Sequence, residues 1–232
     1  MKSGATNMSG LPMLPSARNF RRAFLLVAAS TLVVLGGCTT GSRATSDSFR
    51  LLFKRQIEAT PEQVAANQYP QARISTPDLS AIMVLGFIDD GQQIWYAGNQ
   101  AVFRLDAEGI VVGMSGNGRQ LRSRIIGTSP FSRLATISGK AVIKREYDWM
   151  PGYKMGITAQ GTLDRGPTES VEILGTKRNL VRFDERLEGG MRAHNIYWAD
   201  ATTGFIWKSR QQLSPDYTIE LVQLKPYRSS KD

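Results

Sequence analysis

The chain has 232 residues, 29 of them basic and 20 acidic, with a single cysteine and a single histidine. One cysteine excludes an internal disulfide and a thiolate metal cage, and one histidine leaves no histidine-rich metal site, so no metal or other cofactor is expected and packing alone must stabilise the fold. Lys2, Arg18, Arg21 and Arg22 are four of the 29 basic residues, and the remainder, 25 against 20, forms no long run and does not point to nucleic acid.

Residues 1–37 contain no acidic residue; the four basic ones precede the apolar stretch Phe24 to Leu35, which Gly36-Gly37 closes. That is the order of an export signal. Ala23 to Leu35 supplies 13 residues, too few for a permanent span, which needs about 20. Leu35-Gly36-Gly37-Cys38 resembles the lipobox of bacterial lipoproteins. The resemblance implies a diacylglycerol on Cys38, cleavage just before it and acylation of the new amino terminus. One acyl chain anchors a protein only marginally, whereas two or three hold it firmly in the membrane. Arg21-Arg22-Ala23-Phe24-Leu25 also looks like a twin-arginine export pattern, although Phe20 stands where that pattern prefers a small hydroxyl residue; ordinary Sec export is favoured.

Residues 38–48 are rich in Ser, Thr and Gly, the composition of a flexible tether. Phe49, Leu52 and Phe53 fall at helical spacing with Arg50, Lys54 and Arg55 on the other side, so a short amphipathic helix is expected. Thr60-Pro61-Glu62-Gln63 predicts a second helix running through Ala66: a hydroxyl cap, a proline where no amide hydrogen is needed, and a glutamine able to reach back to the cap.

From Ile82 onward, short apolar or alternating runs are separated by turn signals at Asp89-Asp90-Gly91, Gly116-Asn117-Gly118, Pro151-Gly152 and Glu188-Gly189-Gly190. Ile82 to Ile88 reads as a strand buried on both faces, and Tyr217, Ile219 and Leu221, alternating with Thr218 and Glu220, as a strand covered on one. About ten strands are expected. Residues 49–232 therefore read as one mainly β, antiparallel domain, a curved sheet, barrel-like closure or sandwich, with short N-terminal helices. Ile196-Tyr197-Trp198-Ala199-Asp200 looks like part of a propeller blade, but no further copies recur at a fixed period.

His194 reads as a capping or packing residue, and no nucleophile-elbow pattern accompanies it. Glycan cleavage needs two facing carboxylates; Asp89, Asp90, Asp164, Asp184 and Glu185 are available, mostly in turns. Aromatic rings stack on the apolar faces of sugars. Trp95 and Trp207 are expected in the core, while Trp149 and Tyr153, beside Pro151-Gly152, are the better candidates for glycan or partner contact. Lys144-Arg145 and Lys177-Arg178 are paired basic positions suited to an acidic glycan or a protein; solvated faces look the same.

Trp95 to Val112 and Asn195 to Tyr227 resemble the YjbF/GfcB type of lipoproteins of group 4 capsule and exopolysaccharide operons. The resemblance rests on Asn195-Ile196-Tyr197-Trp198-Ala199-Asp200, Thr203-Gly204, Lys208-Ser209-Arg210-Gln211, Ser214-Pro215 and Leu224-Lys225-Pro226, with the Asp106-Ala107-Glu108-Gly109-Ile110 turn. It implies an outer-membrane lipoprotein, held in lipid by acylated Cys38 with its domain facing the periplasm, that serves production or export of a surface polysaccharide. Thr39 in place of an aspartate resembles the signal for outer-membrane delivery. The partners it implies are polysaccharide, envelope export proteins, or both. No catalytic residues carry over, so a non-enzymatic accessory is expected; the alternative is a periplasmic polysaccharide-modifying enzyme using a carboxylate pair.

Overall fold

A computed structural model describes residues 58–227 of the protein. The signal, Cys38, the tether and the helix expected over Phe49 to Arg55 lie outside the described residues.

The first described element is the predicted helix, α1 (Pro61–Ala66). Thr60 Oγ1 accepts the Gln63 amide at 3.3 Å and Gln63 Oε1 accepts the Thr60 amide at 3.0 Å, so two otherwise orphaned donors are satisfied reciprocally. Val64 is buried, and Gln71 Nε2 donates to its carbonyl at 3.0 Å, which ties the helix to the sheet.

Twelve strands follow: β1 (Gln71–Ser75), β2 (Ser80–Asp89), β3 (Gln92–Ala97), β4 (Ala101–Leu105), β5 (Val111–Gly116), β6 (Arg119–Ile125), β7 (Lys140–Met150), β8 (Lys154–Ile173), β9 (Thr176–Gly189), β10 (Ala193–Ala199), β11 (Ile206–Ser214) and β12 (Tyr217–Lys225). Each pairs antiparallel with its neighbour in the chain, and β1 pairs with both β2 and β12, so the sheet closes into a barrel. Closure pairs every strand on both sides, although the β8–β9 hairpin extends beyond its neighbours, its end from Thr168 to Leu180 pairing only within itself. The predicted turn signals fall at hairpins: Asp90 (φ 47°) and Gly91 (φ 74°) join β2 to β3, and Asn117 (φ 50°) and Gly118 (φ 71°) join β5 to β6, the positive-φ pairs that match strand twist.

The interior is filled. One apolar cluster gathers β1–β6, β11 and β12 around Trp95, Phe103, Met83 and Tyr217. A second gathers β7–β11 around Tyr147, Phe183 and Tyr197, and the 3-10 helix η1 (Pro130–Thr136) packs Phe131 and Leu134 into it. Between them β11 approaches β6 and β7 across the barrel to within 8 Å between Cα atoms.

Two expectations about burial are corrected. On β2 only Met83 and Leu85 are buried: the bulge between Leu85 and Phe87 turns Phe87, 51% exposed, onto the solvated outer face, while Ile88, paired with Gln93 near the strand end, is 42% exposed. Trp95 is fully buried as expected, but Trp207 is on the outside, 5.1 Å from the Phe205 ring and with the Arg178 guanidinium 3.8 Å over it. Counting back from inward-facing Ser209, Trp207 belongs inside; the bulge opposite Trp198 and Ala199 breaks the alternation and turns Ile206 in instead. Tyr217, Ile219 and Leu221 alternate inward as read.

Candidate functional site

The most concentrated polar chemistry is inside the barrel. Arg145 is fully buried, with Nε 2.5 Å from Glu185 Oε1 and Nη2 3.2 Å from Oε2. Tyr197 OH donates to Glu185 Oε2 at 2.7 Å and accepts from Arg145 Nη2 at 3.1 Å; Asn195 Nδ2 and Ser123 Oγ complete the shell at 2.7 and 3.3 Å. Burial works against the charge of Arg145, but the adjacent Glu185 carboxylate outweighs it and holds the guanidinium protonated more firmly than usual. The same burial, reinforced by Glu185, raises Tyr197 well above its ordinary range. The Arg145 and Glu185 charges are matched internally, so the network organises the core.

This corrects the expectation that Lys144-Arg145 presents two cations to solvent. Successive strand residues point to opposite faces. Lys144 is exposed, beside a depression of about 710 Å³ over β7–β9 that no aromatic side chain lines; Arg145 faces the core. Lys177-Arg178 divides for the same reason, Lys177 being exposed and Arg178 stacked on Trp207.

Facing carboxylates do occur on the outer face, where Asp164 on β8 is the register partner of Asp184 on β9. Both are held by cations. Arg182 donates to Asp184 at 2.9 and 2.8 Å, His194 Nε2 is 2.7 Å away, and Arg186 and Lys140 reach Asp164 at 3.6 and 3.9 Å. Partial burial raises the Asp184 carboxyl, but the Arg182 and His194 hydrogen bonds overcome it and leave the group below its ordinary value. A general acid in glycan cleavage needs the opposite shift.

A more accommodating feature is a groove of about 1090 Å³ on the outer face of β2–β7. The strand register builds it as two rungs. The first runs Phe87, Ile94, Arg104, Gly113, Arg122, Asp148 across six strands; the second runs Tyr96, Val102, Ser115, Gln120, Met150 across five. Ile94 is buried at its floor although it faces away from the barrel interior, so the groove has apolar depth of its own. Tyr96 is 40% exposed, with the Phe87 ring 6.5 Å away. Its position depends on Gly86: a Cβ there would stand 2.5 Å from the Tyr96 ring, so the missing side chain lets the ring lie against the strand.

Arg104, Arg122 and Arg124 supply positive charge. Arg124 is paired with its cross-strand partner Glu146 at 2.8 Å, and Arg104 is 3.7 Å from the exposed Asp89. Asp106, at the groove margin, is pushed up to about 6: burial raises it, the Ile110 amide opposes that shift, and the charge of Glu108 adds to it. Its Oδ1 is committed to the amides of Ile110 and Glu108 at 2.8 and 3.1 Å, which fixes the β4–β5 turn.

Of the residues singled out in the sequence, Trp149 lines the groove, packed against both core clusters. Tyr153, 80% exposed at the β7–β8 hairpin with φ 50°, is not among the lining residues, although Met155 of the same hairpin is. Lys144 lies elsewhere, Arg145 is internal and Cys38 is outside the described residues. Tyr96 belongs to the aromatic residues of the sequence suited to sugars; Phe87, Arg104 and the Arg122–Arg124 pair were missed. Arg122-Ser123-Arg124 carries a signal that finds two of them, since basic residues two apart in a strand share one face.

Residues 28–224 match the family described as group 4 capsule polysaccharide lipoprotein gfcB, YjbF. Over 155 residues the chain is 30% identical to an uncharacterized lipoprotein YjbF of Escherichia coli strain K12, an alignment covering 66% of this chain and 71% of that one. The crystal structure of the hypothetical lipoprotein YmcC from Escherichia coli K12 superposes with a TM-score of 0.66 at 22% identity, over 78% of this chain and 96% of the other, and shows that the fold is shared.

Proposed function

Since the chain belongs to the YjbF family of group 4 capsule polysaccharide lipoproteins, we propose that it is a non-enzymatic accessory of capsule or exopolysaccharide assembly or export that holds sugar chains in the groove over β2–β7. In this reading acylated Cys38 anchors the protein in the outer membrane, and the barrel faces the periplasm. The observation that carries it is the pairing of exposed ring surface with hydrogen-bond donors in one elongated depression: Tyr96, Phe87 and Trp149 beside Arg104, Arg122, Arg124 and Gln120. Pyranose rings are bound by that combination, an aromatic surface under the apolar sugar face and polar groups for its hydroxyls. Flat rings that the fold has already placed lose little freedom on binding.

The enzyme alternative draws its best support from Asp106 and Asp148, which both line the groove. Each is engaged by backbone: Asp106 as described, and Asp148 Oδ1 by the Gly156 amide at 2.7 Å. Deleting the protein is expected to lower surface polysaccharide in cells, while the purified full-length protein incubated with that polymer releases no new reducing ends. Cleavage that Asp106→Asn and Asp148→Asn abolish overturns the accessory reading in favour of the enzyme. Undiminished surface polysaccharide in the deletion strain overturns the accessory role itself.

A further inference from the structure

Two cross-strand pairs on β6 and β7 have the same chemistry on paper and different outcomes in the fold. Arg124 opposite Glu146 forms a hydrogen-bonded ion pair. Arg122 opposite Asp148 does not: the shorter Asp148 side chain is bound to the Gly156 amide, and no ion pair or hydrogen bond engages Arg122 among the described residues. On the other side of Arg122 the register places Gly113 and then Arg104, so two guanidinium-bearing strands flank one without a side chain. Their backbones are separated by about 9.6 Å, twice the strand spacing.

Gly113 is not demanded by the backbone. Its φ lies outside the left-handed region, and a Cβ would meet nothing nearer than 3.5 Å, an ordinary contact with the Arg104 stem and the Leu121 carbonyl. Arg104, whose stem passes over Gly113, is 3.7 Å from Asp89, whereas Arg122 reaches no carboxylate among the described residues although Asp148 stands opposite it. An anion over Gly113 gives Arg122 the oxyanion partner that the fold withholds from it, with the Arg104 side chain on the next strand but one. The second rung, carrying Tyr96, lies two residues along the strands, about 7 Å away.

We propose that the groove selects an anionic sugar chain, with a carboxylate or phosphate substituent held between Arg104 and Arg122 while a neighbouring ring stacks on Tyr96. The inference rests on the groove being the sugar-binding face and adds the class of polymer. Guanidinium forks match both oxyanions geometrically, so the source of the charge is decided by experiment.

The test uses the full-length protein in detergent and the surface polysaccharide extracted from the cells that make it, in three forms: native, with its carboxyl groups reduced to alcohols, and with its phosphate esters removed. The native polymer is expected to bind more weakly as salt rises. Arg122→Gln and Gly113→Asp, the latter placing a competing carboxylate between the arginines, are each expected to weaken binding at least tenfold. Whichever treatment of the polymer abolishes binding names the anion. Thermal melts establish that both variants remain folded; if Gly113→Asp does not, Arg122→Gln alone decides. Wild-type affinity in Arg122→Gln, or equal binding of all three polymers, overturns the anion site and leaves the groove a neutral sugar site. No binding of the native polymer overturns the groove as a sugar-binding face.

Discussion

Arg145 shows how little a charge near the surface in sequence says about its place in the fold. Buried ion pairs contribute little net stability because desolvation offsets their attraction, yet removing one partner strands the other and costs about 3–5 kcal/mol. Arg145→Met is therefore expected to lower stability by that amount, and Arg145→Met with Glu185→Leu to recover most of it; urea denaturation measures both. A double variant as unstable as the single one contradicts the pairing shown by the 2.5 Å contact. Asp106 makes a prediction about pH. Its folded value of about 6 exceeds the ordinary 3.8, so between those values the folded state holds a proton that the unfolded state has lost. Its contribution favours folding most below 3.8 and declines as pH rises to 6, by at most roughly 3 kcal/mol. Asp106→Asn keeps the oxygen that caps the turn and is expected to lose this decline between pH 4 and 6. Denaturation midpoints that run parallel for the two proteins across that range refute it.

The groove belongs to the scale of elements, since no single strand contains it. β2 contributes Phe87, β3 Tyr96, β4 Arg104, β6 Arg122 and β7 Met150, and each is there because an antiparallel strand sends alternate residues outward. Gly86 and Tyr96 form a cross-strand unit in which an absent side chain positions a present one. Gly86→Ala puts a methyl group 2.5 Å from Cε2 of the 40% exposed Tyr96 ring, which must shift away from the strand. The expected outcome is a small change in melting temperature with a clear loss of polysaccharide affinity, read by thermal melt and titration. A large fall in stability with unchanged affinity shows instead that Tyr96 serves the fold and not the site. The β7–β8 hairpin illustrates the limit of local reading: Trp149 and Tyr153 flank the same turn, yet one packs into the barrel wall and the other stands in solvent.

For the whole molecule, the sequence by itself determined several of the turns and the helix cap, but not the strand count, which is twelve and not about ten, nor β1, which precedes the expected start at Ile82. The positive-φ turns at Asp90-Gly91 and Asn117-Gly118, the Thr60–Gln63 cap and the alternation of Tyr217, Ile219 and Leu221 are local properties, set by sterics and hydrogen bonds within a few residues. The family was legible too, because the Asn195 to Pro226 pattern is long and ordered. Only the tertiary structure decided that the sheet is a closed barrel, that Arg145 meets Glu185 and that the outer face carries two rungs of rings and guanidinium groups. Closure joins Ile74 to Leu221, and the Arg145–Glu185 pair spans 40 residues. Such contacts depend on register and bulges summed around twelve strands, and a one-residue shift in any of them sends a different set of side chains inward. Alternation states that neighbouring side chains take opposite faces; which face becomes the inside is fixed only when the barrel closes.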